Sequence, residues 1–228
     1  MDKISKESFI IIFSSIASAV IGVTVNIISE NLYYTIGSVI AIFFFALFLF
    51  QYISHYKEKK SIGAERIFSS FGQVPSILEL IKEARKEFCF LGISARSFFE
   101  SEEIEDILKK KTREGCKFKF LLLNPNSQNL ARKAKDENDS PTAWKNDIEA
   151  GIKRLETLRR EIGPDKFDFR TYSIFPIWRG IFIDDIDAYI SYYPHGHRGK
   201  YSPIIHFRNI DKSFFNPFKD YFIELWEG

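Results

Sequence analysis

The chain has 228 residues, of which 16% are aromatic, and its 32 basic and 30 acidic side chains give a formal net charge of +2 at pH 7. A charge this close to zero indicates no extended basic surface, so we expect no nucleic-acid partner. The two cysteines, Cys89 and Cys116, form no Cys-x-x-Cys pair, and the four histidines form no cluster with zinc spacing. We therefore expect reduced thiols, no metal site and no cofactor.

Two apolar runs without a charged residue, 9–28 and 32–53, open the chain, and only a short polar hinge separates them. An α-helix needs about 20 residues to cross the hydrocarbon layer, and each run has that length. The runs predict a transmembrane helical hairpin over residues 1–56. A juxtamembrane linker or helix is expected over 57–70, and one cytoplasmic domain over 71–228.

Positive charges lie on the outer flanks of the hairpin, whereas the hinge carries only the acidic Glu30. The flanking residues are Lys3, Lys6, Lys57, Lys59 and Lys60. By the positive-inside rule, both termini are expected in the cytoplasm. The predicted location is the cell inner (plasma) membrane, with the lipid bilayer itself as a partner.

The remaining residues alternate between apolar runs typical of buried strands and amphipathic stretches typical of helices. Strands are predicted at 88–94, 117–123, 166–172, 180–184, 188–192 and 203–208. Helices are predicted from residue 75, over 102–113, over about 128–138, over 140–163 and from residue 213 onward. Ile67 and Phe71, spaced i, i+4, predict a further amphipathic stretch before them. The order of elements indicates an α/β sandwich with a mixed sheet.

Three stretches of this part carry a likeness to a known family. They are LGISARSFFE (91–100), GCKFKFLLLNPNSQNLARKA (115–134) and FDFRTYSIFPIWRGIFIDDIDAYISYYP (167–194). In order and spacing they resemble one repeat of the phospholipase D superfamily, most closely the degenerate phospholipase D-like domains that bacteria fuse to membrane or helix-turn-helix segments. The resemblance implies a phospholipase D-like mixed-sheet α/β sandwich behind the two-helix transmembrane hairpin.

The sequence departs from that family at its catalytic motif. Active members carry His-x-Lys-x4-Asp, in which the histidine attacks phosphorus and the lysine neutralises the phosphoryl oxygens. Here Trp178 and Gly180 stand where the histidine and lysine would be, although an aspartate is present at 184 or 185. The departure implies that this mechanism fails, so we predict no catalytic residue and favour a protein that is not an enzyme.

A binding site is still expected, because ligands of mixed α/β sheets usually lie beyond the carboxyl ends of strands. Arginine, serine and asparagine donors suit a phosphate-bearing or nucleotide-like ligand. The predicted ligand-binding residues are Ser94, Arg96, Asn124, Ser127, Arg179, Asp184, Asp185 and His197. Two alternatives stay open: the aspartate pair forms only a hairpin turn, and the arginines form only surface ion pairs.

Three functions fit these features. The first is a membrane-anchored sensor and effector whose domain binds a nucleotide second messenger or a partner protein, forms a homo-oligomer and gathers the hairpins to disrupt the membrane, a design similar to effectors of bacterial antiphage defence. The second is a membrane-associated phosphodiesterase, either a phospholipase or a nuclease, with a rebuilt site that uses His195 or His197. The third is an inert scaffold that docks a partner protein.

Overall fold

The computed structural model describes residues 43–51, 62–99, 101–196, 199–211 and 213–228. The chain divides into two units, 1–57 and 58–228, and each is considered by itself. In the first unit, residues 43–51 are helical, and the rest of the predicted hairpin lies outside the described residues. Within the described ranges, no helix combines the length and apolar character that a membrane crossing requires.

The described part of the second unit contains seven strands and five α-helices, numbered here in chain order. The strands are β1 (Ala64–Phe68), β2 (Glu87–Gly92), β3 (Lys117–Leu123), β4 (Phe167–Tyr172), β5 (Trp178–Ile183), β6 (Asp187–Tyr192) and β7 (Ile204–Arg208). The helices are α1 (Ile77–Glu83), α2 (Glu102–Arg113), α3 (Gln128–Asp136), α4 (Pro141–Ile162) and α5 (Phe215–Glu227). Short 3-10 turns lie at Phe71–Gln73, Arg96–Phe99 and Gly199–Tyr201.

All seven strands form one mixed sheet in the order β1-β7-β6-β5-β2-β3-β4. Strands β2, β3 and β4 are parallel, whereas β5 runs antiparallel to β2 and β6 antiparallel to β5. The carboxyl ends of β2, β3, β4 and β6 therefore share one edge with the amino end of β5, and we call it the upper edge. The predicted α/β class with a mixed sheet is confirmed.

Both faces of the sheet are covered, which explains the continuous apolar runs of its central strands. Successive residues of a strand point to opposite faces. On β2, Phe88 and Phe90 join a core with helices α1, α2 and α4, whereas Cys89 and Leu91 join a second core with α3 and α5. The two cores fix the sheet between helical layers and leave its ends for polar groups.

One segment differs from the prediction. Residues 64–68, expected within the linker or helix over 57–70, form the edge strand β1, which pairs antiparallel with β7. The helical spacing of Ile67 and Phe71 is misleading, because Ile67 is 61% exposed while its neighbour Phe68 is the residue buried in the core. Pairing with β7 satisfies the backbone here, and tertiary hydrogen bonds override a short local pattern.

An ionic clamp ties α5 to the amino end of β2. Lys219 Nζ lies 2.8 Å from one carboxylate oxygen of Glu87, and Lys119 Nζ lies 2.7 Å from the other. Burial favours protonation of Glu87, but the hydrogen bonds from both lysines outweigh it and lower the pKa to about 2. Burial favours the neutral form of Lys219, but the hydrogen bonds to Asp185 and Glu87 outweigh it and raise its pKa. Both groups are therefore charged at neutral pH and hold each other in place.

Replacing Glu87 by glutamine should lower the free energy of unfolding by about 2–3 kcal/mol at pH 7, because the buried Lys219 loses one of its two carboxylate partners and Lys119 loses its own. The folded-state pKa lies below the ordinary value of 4.5, so this stabilisation is complete above about pH 4.5 and is lost as the pH falls towards 2. Urea unfolding of wild type and variant, followed by circular dichroism, should show their difference shrinking over this range.

Glu149→Gln is the matched control, because it removes a carboxylate from an exposed pair with Lys145 at 3.7 Å. That change should alter the free energy of unfolding by less than about 0.5 kcal/mol. Equal losses in the two variants would contradict the stabilising role of the clamp.

Candidate functional site

A cavity of about 480 Å³ opens at the upper edge of the sheet. Its walls come from the turn after β1, the loops after β2 and β6, the start of β5 and the first turns of α4. Four of the lining side chains are aromatic: Phe71, Phe90, Trp144 and Tyr193. The volume falls within the range of small-molecule sites, which is about 300–1,000 Å³.

Arg179, the second residue of β5, supplies a half-buried positive charge to this cavity. Its guanidinium carbon lies 4.5 Å from the centroid of the Phe71 ring, and Nη2 donates to the carbonyl oxygen of Gly199 at 3.4 Å. Arg179 forms no ion pair with any carboxylate of the described residues. Burial lowers its pKa, yet an arginine stays charged at neutral pH. Most of its five N–H donors therefore remain available for an anion.

Tyr193 forms the wall beside this arginine. Its hydroxyl oxygen accepts a hydrogen bond of 3.0 Å from the backbone N–H of Ile93, just beyond β2. A Cβ atom at position 199 would stand 2.8 Å from Cδ1 of the ring, so only glycine permits this approach. Burial raises the pKa of the Tyr193 hydroxyl, which keeps it neutral. The wall is thus rigid and uncharged.

Helix α4 supplies the opposite wall. Ser140 caps its amino end by accepting from the backbone N–H of Ala143, and the helix then brings Trp144 and Asp147 to the cavity, three residues apart on one face. One carboxylate oxygen of Asp147 pairs with Arg96 at 2.9 Å. The wall therefore combines an aromatic surface with a carboxylate.

Three of the predicted site residues meet at this cavity: Ser94, Arg96 and Arg179. They come together because β2 ends where β5 begins, as the pairing of Leu91 with Gly180 shows. His197 lies outside the described residues.

Asn124 and Ser127 lie at the same edge but do not line the cavity. Asn124 Nδ2 donates to the hydroxyl oxygen of Ser173 at 3.3 Å, and the Ser127 hydroxyl donates to the carbonyl oxygen of Ser173 at 2.9 Å. Ser127 also caps α3. These side chains join the turns after β3 and β4.

The expectation that Asp184 and Asp185 share this edge is wrong. Strand β5 runs antiparallel to β2, so its carboxyl end lies beside the amino end of β2, where Phe88 pairs with Ile183. Both aspartates have positive φ, at 54° and 52°, in the turn between β5 and β6. Asp185 forms an ion pair of 2.8 Å with Lys219. The hairpin-turn alternative describes them.

Asp184 closes the loop that enters β2. Its carboxylate accepts hydrogen bonds of 2.6–3.0 Å from three consecutive backbone N–H groups, those of Arg85, Lys86 and Glu87. A carboxylate can accept all three of these hydrogen bonds because it has two negatively charged oxygens with several lone pairs. The role of this aspartate is to satisfy the backbone at the other edge of the sheet, where β2 begins and β5 ends. We call this the lower edge, and it lies away from the cavity.

Sequence reasoning missed four residues that line the cavity: Phe71, Trp144, Asp147 and Tyr193. A local signal exists for one of them. Trp144 is a large aromatic residue in the polar stretch SPTAWKND at the start of a helix. The other three residues carry no such signal, because distant loops bring them together.

Asp184→Ala should lower the free energy of unfolding by about 1–3 kcal/mol, because three backbone donors lose their acceptor and alanine is strained at φ 54°. Asp184→Asn should lose less, because asparagine keeps one amide oxygen and tolerates this backbone region. Thermal and urea unfolding measure both changes. A large loss of ligand affinity without a loss of stability would contradict this structural role.

No protein-family model matches this chain, and no curated protein does. Among solved structures, the chain is similar to the archaeal chromatin protein TrmBL2, described as showing a novel mode of DNA binding, with 16% identity and a TM-score of 0.45 over 87% of this chain and 70% of that one. It is similar to Nuc of Salmonella typhimurium, a phospholipase D family member, with 16% identity and a TM-score of 0.41 over 66% of this chain and 84% of that one.

A third similar structure is phosphatidylserine synthase of Haemophilus influenzae Rd KW20, with 10% identity and a TM-score of 0.43 over 63% of this chain and 33% of that one. All three TM-scores lie below 0.5, so none of these proteins defines a family or an activity for the chain. The α/β class stands on the seven-stranded sheet itself, and the resemblance to the phospholipase D superfamily remains a prediction from sequence.

Proposed function

We propose that this protein is a membrane-anchored sensor whose upper-edge cavity binds a phosphate-bearing, nucleotide-like ligand. The observation that carries the proposal is Arg179, a half-buried guanidinium that lines the cavity and has no carboxylate partner among the described residues. A desolvated cation gains free energy when an anion binds beside it. Phosphate suits the planar fork of arginine because two parallel hydrogen bonds form at once.

The other walls suit the organic part of such a ligand. Trp144 and Phe71 supply aromatic surface on which a planar base can stack. Ser94 adds a hydroxyl that can donate or accept a hydrogen bond. A charged point next to aromatic surface favours a nucleotide over inorganic phosphate alone.

Binding is favoured over hydrolysis by the placement of histidine. The described histidines are His195, which pairs with Asp136, and His206, which pairs with Asp187 at 2.7 Å and stacks on Tyr189. Neither lines the cavity. A phosphodiesterase that used this cavity would therefore have no histidine of the described residues at hand as its nucleophile.

The two apolar runs of the sequence supply the effector half of the proposal. A hairpin of two helices cannot enclose a water-filled pore, so membrane disruption requires several copies. We propose that ligand binding favours a homo-oligomer in which the hairpins gather, in the manner of antiphage effectors. The scaffold alternative differs in one respect, since it has no small ligand.

Arg179→Gln should weaken the binding of pyrophosphate and of nucleoside monophosphates by about 10–100-fold, because the phosphate loses its charged donor. Isothermal titration calorimetry of the full chain in detergent measures the affinity. Arg66→Gln is the matched control, since its guanidinium also lies over a phenyl ring, 5.4 Å from the centroid of Phe68, but does not line the cavity. The absence of binding by wild type to every one of these probes would contradict the sensor and favour the scaffold.

The full chain should stay with membranes after washing at high pH, whereas a chain lacking residues 1–56 should be released, because only the apolar runs anchor it. Immunoblots of membrane and soluble fractions measure the distribution.

Induced expression should also lower the membrane potential of the host cell, read with a potential-sensitive dye. An unchanged potential with a correctly anchored chain would contradict membrane disruption.

A further inference from the structure

We infer that the ligand of the upper-edge cavity carries a guanine-type base, whose ring stacks on Trp144 and whose N–H edge binds Asp147. This inference rests on the proposed function and deepens it, since it names the base of the nucleotide. It comes from the wall that α4 supplies.

The cavity has walls of unlike charge. The β5 side presents the Arg179 guanidinium, whereas the side formed by α4 and the turn before it presents carboxylates. One of them, on Glu137, lies 3.2 Å from the buried Lys133 and is balanced by it. Asp147 is partly open, with 42% of its side chain exposed. A ligand that fills the cavity therefore needs an anionic end and, at the other end, hydrogen-bond donors.

Asp147 retains acceptor capacity. Its Oδ2 accepts from Arg96 at 2.9 Å, and a carboxylate offers about four lone-pair positions. The described residues place no hydrogen-bond donor on Oδ1. This carboxylate can therefore accept further hydrogen bonds from a ligand while keeping its arginine.

The position of Trp144 limits the shape of that ligand. Trp144 and Asp147 line the cavity from one face of α4, three residues apart, so an aromatic plane and a carboxylate stand side by side. Part of Trp144 packs against the second core, and a flat ring that stacked on the part lining the cavity would bring its edge towards the carboxylate. The arrangement fits a planar base that has N–H donors on its edge.

Among common bases, guanine has that edge. It presents adjacent N1–H and N2–H donors, which form two parallel hydrogen bonds to one carboxylate. Hypoxanthine keeps only the N1–H donor, and adenine presents an N1 acceptor that repels a carboxylate. The order of affinity follows directly: guanine, then hypoxanthine, then adenine.

The test compares GMP, IMP and AMP on the full chain in detergent, by isothermal titration calorimetry. We expect GMP to bind at least about tenfold more tightly than AMP, with IMP between them, because hydrogen bonds to a charged group are involved. The wild-type series decides the inference even where a variant fails to fold.

Asp147→Asn should bring the ratio of GMP to AMP affinity close to one, because an amide offers both a donor and an acceptor. Asp168→Asn is the matched control, since Asp168 also pairs with an arginine, Arg159 at 3.0 Å, but lies outside the cavity.

Equal binding of GMP and AMP that is lost in Arg179→Gln would overturn the base assignment and leave the phosphate sensor standing. A preference for GMP that survives Asp147→Asn would also overturn it. The absence of binding by GMP, IMP, AMP and pyrophosphate would overturn both the base assignment and the proposed function.

Discussion

The antiparallel pairing of β5 with β2 at the centre of the sheet is the constraint on which the rest of the structure depends. Strands β2, β3 and β4 run in one direction, and β5 reverses it. The start of β5 therefore meets the end of β2, which brings Arg179 to the loop that carries Ser94 and Arg96. The end of β5 carries Asp184 to the opposite edge, where its carboxylate accepts hydrogen bonds from three backbone N–H groups.

Charged side chains at the two edges of the sheet differ in the partners that they have within the protein. At the lower edge, the Glu87 carboxylate is held between two lysines and the Asp184 carboxylate by three backbone donors, so each has partners within the protein. At the upper edge, Arg179 is half-buried against an aromatic ring, and among the described residues its only hydrogen-bond partner is the carbonyl oxygen of Gly199. Desolvated charges require partners, so the second arrangement supports the proposed ligand, whereas the first is a structural clamp.

The positions of most strands could be predicted because a strand that is buried on both faces appears in the sequence as a continuous apolar run. Lys117–Leu123 forms β3 as predicted, and the other predicted strands shift by at most two residues at an end. Strand β1 could not be predicted, since its residues alternate poorly and its pairing partner, β7, lies more than 130 residues further along the chain. Edge strands depend on their partners more than on their own composition.

The general rule on carboxyl ends of strands predicts Ser94 at this edge, because Ser94 follows β2. The rule could not place Arg179 or Asp184, because Arg179 lies at the amino end of β5 and the rule needs the direction of each strand. The wall that α4 supplies was beyond prediction for another reason. Trp144 and Asp147 belong to α4, and only its packing across the end of the sheet brings them to the same cavity as a strand that begins more than 30 residues later. No local sequence pattern shows which helix face will pack beside the start of a distant strand.

By itself, the sequence determined the apolar runs before residue 57, the α/β class and the missing histidine and lysine of the resembled family, because each depends on residue type and short-range periodicity. The tertiary structure alone decided which polar side chains share an edge. That choice rests on strand direction and helix packing, which arise from contacts between residues far apart in the chain.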